Sequence, residues 1–333
     1  MKNIKLKSIL VIILTIIILT LLVKDNLPAI IKEITNINII FFLIAIILYI
    51  IYFIIDNIVL YILTKTYNQN IKFKKILKIG METKFFNGIT PLASGGQPWQ
   101  VYKLGKENIK YTDSASIVSQ NYLLFQIAMM IITTICLISA KITNIFNQSP
   151  IINKITMLGY IINFLMLIFL LYIGLTKKTN YKIITFFIKI LAKLKIIKNK
   201  ETKIKKWNKR CTNYQNNTIK LLKNKKLFIK GIILYLISTS IYYLITYFIF
   251  LSLNIKNIPI STSYIGSALI FIAGCCMPLP GASGGMEYSY YGYFTNPLKN
   301  NSLIFSSLII WRLITFYMPT IIGSIFFLKK EKK

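Results

Sequence analysis

The sequence predicts an all-α integral membrane protein with about six to eight transmembrane helices and two re-entrant or broken hairpins. Three observations predict this class: a high apolar content, a series of long apolar runs, and two proline- and glycine-rich interruptions. Hydrophobic residues make up 55% of the 333 residues. Soluble domains of this total length carry a smaller apolar fraction. The composition therefore indicates a protein that is largely embedded in a lipid bilayer.

Six apolar runs reach or approach the roughly 20 helical residues needed to cross about 30 Å of hydrocarbon. They occupy residues 8–23, 37–63, 114–140, 155–175, 229–253 and 302–328. The first run is short, but Lys5 and Lys7 precede it and no small-residue cleavage site follows. We interpret it as a retained helix, with a signal peptide as the alternative.

Positive charge is concentrated in a few segments of the chain. There are 41 Lys and Arg against 9 Asp and Glu, a balance that would indicate nucleic-acid binding in a soluble protein. Here residues 177–230 hold 18 of those cations and a single acid, Glu201. The positive-inside rule explains such clusters. It predicts a multi-pass protein with both termini in the cytoplasm and no nucleic-acid partner.

The basic segment 177–230 contains two predicted amphipathic helices. Residues 181–197 carry lysines on one face, and residues 204–222 continue an apolar stripe at helical spacing. Both could lie in the interface and bind anionic headgroups, or form a solvated cytoplasmic loop. No Ser-, Gly- or Pro-rich linker divides the chain, so residues 1–333 are predicted as one transmembrane domain.

Several chemistries are excluded by residue type. Histidine is absent, which removes Ser-His triads, histidine metal ligands and histidine bases. The four cysteines have no metal-ligand spacing; they are Cys136, Cys211, Cys275 and Cys276. We expect no catalytic triad, no metal and no cofactor.

Two interruptions, almost two hundred residues apart, have nearly the same sequence. Residues 91–96 read PLASGG and residues 280–285 read PGASGG. Proline and glycine break helices, and at membrane depth such breaks are tolerated only inside protein or beside a wet cavity. Matched breaks in the two halves of a chain indicate a transporter-like site. Plain helix packing through small residues is the competing explanation.

The predicted path places the two motifs in hairpins of opposite sense. From a cytoplasmic N-terminus, residues 85–105 enter and leave from the inner side, and residues 260–296 from the outer side. An inverted-topology repeat would produce this arrangement, with the site at the repeat interface. Alternatively, each hairpin contains a full crossing, and the helix count rises to eight or more.

Three ionisable residues lie within apolar segments, where an isolated charge costs about 3 kcal/mol or more. Glu287 follows the second motif and Arg312 lies in the last run, so we predict that they form an ion pair. Asp56 either faces the same cavity or caps its helix at the interface. The residues that border the first motif, and that we expect to form a polar rim, are Glu82, Lys84, Lys103 and Glu107.

Three blocks carry a family resemblance: FNGITP with GGQP at residues 86–98, PLPG with GGME at residues 278–287, and Trp-Arg at residues 311–312. With these blocks in order, the chain resembles, over about residues 10–325, the lysylphosphatidylglycerol synthase transmembrane-region family. This is the flippase-like membrane part of the bacterial multiple peptide resistance factor. The resemblance implies lipid transport in a bacterial plasma membrane and a link to antimicrobial peptide resistance. The soluble synthase domain of two-part members is not expected here.

The resemblance and the motifs together predict a translocator for lysylphosphatidylglycerol or another polar-headed lipid. Backbone amides at the breaks, with Gln97 and Gln100, would bind phosphate or ester oxygens, and Glu287 with Arg312 would supply switchable charge. The candidate lipid-binding residues are Thr90, Pro91, Ser94, Gly95, Gly96, Gln97, Pro98, Gln100, Pro280, Ser283, Gly284, Gly285, Glu287, Arg312 and Asp56.

Two alternatives to a translocator stay open at this point. One is a membrane transferase in lipid modification, a phosphatidylglycerol lysyltransferase by family inheritance, with Glu287 or Asp56 as base. The other is a membrane partner subunit of a separately encoded synthase, recruited through residues 177–230. A membrane phospholipid is the expected ligand in each case, and association with a second copy of the chain is compatible with all three.

Overall fold

A computed structural model describes residues 27–144, 150–176, 185, 200–275 and 277–329. The predicted run at residues 8–23 and, apart from residue 185, the predicted helix at residues 181–197 lie outside this range. The helices are α1 (Leu27–Thr35), α2 (Ile39–Lys65), α3 (Phe73–Gly88), α4 (Gly96–Gly105), α5 (Tyr111–Thr143), α6 (Pro150–Leu175), α7 (Lys200–Lys223), α8 (Lys225–Ser252), α9 (Ile260–Gly274), α10 (Gly285–Leu298), α11 (Asn301–Arg312) and α12 (Met318–Leu328). A π-helical turn, Leu313–Tyr317, joins α11 to α12.

Five helices among the described residues are long and apolar enough to cross a membrane. They are α2, α5, α6, α8 and the continuous helix Asn301–Leu328. Each coincides with a predicted apolar run, with ends shifted by a few residues. Most of the apolar side chains of α2 and α6 are not covered by protein, as expected for helices that face lipid. The prediction of an all-α membrane fold is confirmed.

Asparagine side chains mark where three of the long helices begin. Asn38, Asn224 and Asn300 each accept a hydrogen bond from a backbone amide two or three residues ahead. These are N-cap contacts, which satisfy amides that have no partner in the first helical turn. The caps fix the starts of α2, α8 and α11 at positions where apolar composition alone gives no boundary.

The helices form two units with the same order of elements: a long helix, a short hairpin and a second long helix. The first unit is α2, the α3–α4 hairpin and α5; the second is α8, the α9–α10 hairpin and α11–α12. Helices α2 and α8 pack along each other, α3 packs on α12, and α9 packs on α5. Each hairpin therefore contacts the closing helix of the other unit, as a two-fold relation between repeats would produce.

Close approach of backbones is what holds the first hairpin against α12. A Cβ atom on Gly323 of α12 would lie 2.3 Å from the carbonyl oxygen of Met81 in α3. Only glycine fits at such a crossing. Helix α3 is thus packed between α2 and α12.

The basic helix α7 is fixed to the ends of α5 and α6 by its second half. The Tyr214 hydroxyl donates to the Leu170 carbonyl at 3.5 Å, and the Gln215 amide donates to the Thr176 carbonyl. The first half is exposed, with the Arg210 guanidinium 5.1 Å from the ring centre of Trp207. The predicted amphipathic pattern is therefore used for packing on the protein in one half only.

Candidate functional site

The two motifs meet in space. Residues 90–96, here called the first tip, join α3 to α4, and residues 279–285, the second tip, join α9 to α10. Pro91 pairs with Pro280 in an isolated antiparallel bridge. The matched interruptions thus contact each other at equivalent positions, and the convergence that the sequence indicated is present.

The backbone hydrogen bonds of the two tips are the same. In the first tip the Ser94 amide donates to the Pro91 carbonyl at 3.1 Å; in the second, the Ser283 amide donates to the Pro280 carbonyl at 3.3 Å. A second bond, one residue earlier, is also shared. The Ala93 amide donates to the Thr90 carbonyl at 3.2 Å, and the Ala282 amide donates to the Leu279 carbonyl at 2.9 Å. The repeated sequence therefore specifies one repeated turn.

The turn places two consecutive residues of each tip in the left-handed region. Their φ angles are +53° at Leu92 and +51° at Ala93, and +63° at Gly281 and +53° at Ala282. This region costs a residue with a side chain about 1–2 kcal/mol. Such strain persists only where surrounding structure enforces it, and it is concentrated at functional sites.

The second tip is anchored by a buried ion pair. The Arg312 Nε donates to Glu287 Oε1 at 2.7 Å, and Glu287 Oε2 accepts from the Gly284 amide at 2.7 Å. Arg312 Nη1 also donates to the Gly281 carbonyl at 3.0 Å. Glu287 is 1% exposed and Arg312 2%. The predicted Glu287–Arg312 pair is thus present, and both residues bind the backbone of the tip directly.

The first tip is held by a neutral group and lies open. The Thr90 hydroxyl accepts from the Gly95 amide at 2.9 Å and donates to the Phe86 carbonyl at 2.7 Å. Leu92 is 58% exposed. The other predicted site residues of this tip and of the start of α4 divide as follows: Pro91, Ser94, Gln97 and Pro98 are exposed, Gln100 is half-buried, and Gly96 is buried.

The predicted polar rim of the first motif is wrong for Glu82. This carboxylate is 1% exposed; its Oε2 accepts from the Trp99 indole at 2.9 Å and lies 3.4 Å from Lys103 Nζ. Trp99 in turn stacks on Phe86 at 4.3 Å. Glu82 therefore ties α3 to α4 from inside the hairpin.

Asp56 does not cap a helix. It lies in the interior of α2, whose N-cap is Asn38 and whose C-cap is Thr66. Asp56 Oδ2 is 3.5 Å from Lys84 Nζ, and that ammonium also lies 3.2 Å from the Tyr52 hydroxyl and 4.9 Å from the Tyr52 ring centre. The Asp56–Lys84 pair thus joins α2 to the first hairpin.

Three polar residues near these charges were not singled out by the sequence. The Tyr242 ring of α8 packs 5.0 Å from the ring of Tyr52, the residue whose hydroxyl lies 3.2 Å from Lys84 Nζ. The Tyr317 hydroxyl is buried without a hydrogen-bond partner. Thr315 and Tyr317 belong to the π-helical turn directly after Arg312, a distortion often found at functional sites.

Among the described residues no cluster of three His, Cys, Asp or Glu side chains could hold a metal. The polar groups that the site contains are backbone amides, hydroxyls and the ion pairs Glu287–Arg312, Asp56–Lys84 and Glu82–Lys103. The family profile described as the lysylphosphatidylglycerol synthase TM region matches residues 8–323. The chain belongs to this family. No curated protein matches the chain.

Membership makes this chain a multi-pass membrane protein related to lysylphosphatidylglycerol synthesis or transport. The profile spans both units and both tips. In this family member, the blocks that carried the resemblance are the parts that meet: the two tips and Arg312. The matched region is thus organised around the Pro91–Pro280 bridge.

Proposed function

We propose that this family member binds a polar-headed phospholipid at the junction of the two tips and moves its headgroup across a bacterial plasma membrane. The observation that supports this most directly is the Pro91–Pro280 bridge, which brings the helix breaks of both units to one place. Breaks at membrane depth leave backbone polar groups that need protein or water partners. Transporters with repeated units bind substrate where such breaks meet.

In this proposal the headgroup binds at the tips while the acyl chains stay in the bilayer. The starts of α4 and α10 offer backbone amides to an anionic group, with Gln97 and Gln100 beside the first. Glu287 and Arg312 link the second tip to α11. Rocking of one unit against the other about the bridge would expose the junction to each side in turn, with both chain termini in the cytoplasm.

A transferase is the weaker proposal, because the carboxylate oxygens of Glu287 are engaged by Arg312 and the Gly284 amide. A base needs a carboxylate free to take a proton.

The subunit proposal has one observation in its favour: the first half of α7 is exposed and basic, with Trp207 at its surface. Co-purification of a synthase that is lost on Trp207→Ala would support it.

The translocation proposal is tested with purified protein in liposomes that contain lysylphosphatidylglycerol in one leaflet only. The readout is the rate at which the lipid amine becomes reactive to an impermeant reagent. We expect wild type to accelerate this rate, and Glu287→Gln to lower it by about tenfold, since one charge-assisted bond to the tip is lost. Glu33→Gln, in α1, serves as the control and should match wild type.

Two outcomes would contradict the proposal. One is a wild-type rate equal to that of protein-free liposomes. The other is a rate that is accelerated but equal for wild type, Glu287→Gln and Glu33→Gln, because the charged second tip would then have no part in transport. Phosphatidylcholine labelled in the same way tests whether the headgroup is recognised at all.

A further inference from the structure

We propose that Arg312 and Lys84, with the hydroxyls of Tyr242 and Tyr317, form a binding site for a phosphate oxyanion at the seam between the two units. The seam is defined here by these four residues. The inference rests on the proposed function and deepens it, since it identifies the part of the lipid that is recognised: the phosphate group that joins headgroup to glycerol.

The first observation is an unused donor on a buried cation. Arg312 Nε donates to Glu287 and Nη1 donates to Gly281, but Nη2 is buried with no hydrogen-bond partner. A buried charged donor without an acceptor is costly and needs an explanation. A guanidinium presents its N–H groups in a planar fork that matches the oxygens of a phosphate. The free edge of Arg312 therefore points to an oxyanion.

A second unused group lies one turn further along the same helix. The Tyr317 hydroxyl is also buried without a hydrogen-bond partner. It follows Arg312 by five residues, at the end of the π-helical turn. Because backbone hydrogen bonds in a π-helical turn join residues five apart, Tyr317 follows Arg312 by one wide turn, on a similar face of the helix. A hydroxyl donor beside a guanidinium edge is a suitable pair for one phosphate.

The other unit supplies the second cation. Lys84 extends from the first hairpin to within 3.5 Å of Asp56, a distance that leaves the pair loose. Its side chain is 20% exposed and that of Asp56 is 25%, so water can solvate Asp56 when Lys84 turns to another anion. Lys84 Nζ lies 3.2 Å from the Tyr52 hydroxyl, and the Tyr52 ring packs 5.0 Å from the Tyr242 ring of the second unit. The π-helical turn that follows Arg312 packs on α2, the helix that carries Asp56 and Tyr52. The surroundings of both cations therefore meet at α2.

The charge balance of the seam allows an anion to bind without breaking the anchor of the second tip. Glu287 neutralises Arg312, and Asp56 neutralises Lys84. An oxyanion would bind the Arg312 donor that Glu287 and Gly281 leave over, and Lys84 would turn toward it while water solvates Asp56. Because Lys84 belongs to the first hairpin and Arg312 holds the second tip, bound phosphate would connect the two units. Binding is therefore coupled to how the units are arranged.

The test is a binding measurement on the full chain in detergent, with conservative variants that remove one hydroxyl each. The probes are phosphatidylglycerol, diacylglycerol with the same acyl chains, glycerol-1-phosphate and inorganic phosphate. We expect phosphatidylglycerol to bind about tenfold or more tightly than diacylglycerol, and Tyr317→Phe and Tyr242→Phe each to remove most of this difference. Lys84→Gln should do the same. Tyr160→Phe, which removes a hydroxyl bonded to Thr134 in α5, is the matched control.

The soluble probes separate two sources of the same chemistry. Competition by glycerol-1-phosphate, but not by diacylglycerol, would show that the seam binds the phosphate itself. Competition by inorganic phosphate at equal strength would support the site with free phosphate as its ligand. Equal affinity for phosphatidylglycerol and diacylglycerol would overturn the inference, as would an equal loss in Tyr160→Phe. Binding without transport would refute the proposed function only; transport unaffected in all three seam variants would refute the seam only.

Discussion

The first and second tips have the same backbone turn but different partners for the same amide. The Gly95 amide of the first tip is bound by the hydroxyl of Thr90, which precedes the turn; the matching Gly284 amide is bound by the carboxylate of Glu287, which follows it. One partner is neutral and local, and the other belongs to a buried ion pair that reaches α11. The repeated motif thus specifies shape, and the residues beside it specify charge.

Because their supports differ, the two tips should respond differently when a neighbouring helix moves. The first tip is exposed, with Leu92 pointing outward, and the side chain that supports it, Thr90, binds within its own hairpin, to the Phe86 carbonyl. The second tip is held by Arg312 from a separate helix. A movement of α11 would therefore be transmitted to the second tip directly. The first tip would respond less directly, through the bridge between the two prolines and through the packing of α3 on α12.

The largest expected effect comes from removing the charged support. Arg312→Met leaves Glu287 buried without a counter-charge, and we expect a loss of about 3–5 kcal/mol in the free energy of unfolding. Thermal unfolding in detergent, followed by tryptophan fluorescence, measures it. The double variant Glu287→Gln/Arg312→Met should recover part of the loss. If the double variant is no more stable than Arg312→Met, the two residues do not act as a pair.

A smaller effect is expected from a side chain at Gly281. Its matched residue in the first tip is Leu92, so the left-handed backbone alone does not require glycine. A Cβ on Gly281, however, would lie 2.3 Å from the Phe316 ring. Gly281→Ala should destabilise the fold by about 1–3 kcal/mol, and Phe316→Leu should relieve most of this in the double variant. Equal stability of Gly281→Ala and wild type would contradict the packing explanation.

Removing the neutral support should cost less than removing the charged one. Thr90→Val keeps the shape of the side chain but leaves the Gly95 amide without its acceptor, at a cost of about 1 kcal/mol. Thr90→Ser retains the hydroxyl and should be close to wild type. Apparent melting temperatures of the two variants, measured under identical detergent conditions, make the comparison. A loss in Thr90→Val as large as that in Arg312→Met would remove the distinction between the tips.

The smallest effect, of opposite sign, is expected at Leu92. Leu92→Gly relieves a left-handed conformation that costs about 1–2 kcal/mol, but glycine loses about 0.5–1 kcal/mol more entropy on folding. Subtracting the two ranges gives a net stabilisation between zero and about 1.5 kcal/mol, with a midpoint of about 0.75 kcal/mol. The same melting measurement checks it. A clear destabilisation would show that the exposed Leu92 side chain makes a contact that the turn depends on.

Much of the fold can be predicted by counting the apolar residues in each run of the sequence. The five spans among the described residues coincide with apolar runs because each has enough apolar residues to cross the bilayer. The matched motifs, and the rule that buried charges are paired, were sufficient to predict the Glu287–Arg312 contact. The first run, at residues 8–23, stays a prediction because it lies outside the described residues.

The rest of the site could not be predicted because its residues carry no periodic signal. Tyr242 and Tyr317 lie in helices that are apolar on nearly all sides, so a tyrosine facing a charge looks like any lipid-facing or packed aromatic. Glu82 is predicted to lie on a polar rim because it borders the first motif in the sequence, whereas the fold buries it against Trp99. Such contacts depend on how the units pack, which local pattern does not encode.

The π-helical turn at Leu313–Tyr317 has a consequence for the last helix as a whole. Before this turn, Arg312 binds the second tip. After it, Gly323 lies against the Met81 carbonyl of the first hairpin. Each residue of an α-helix advances the azimuth by about 100°. A π-helical hydrogen bond spans five residues where an α-helical one spans four, so the wide turn absorbs an extra residue without a 100° change of direction. One continuous helix can therefore contact the second tip through Arg312 and the first hairpin through Gly323, and so serve both halves of the molecule.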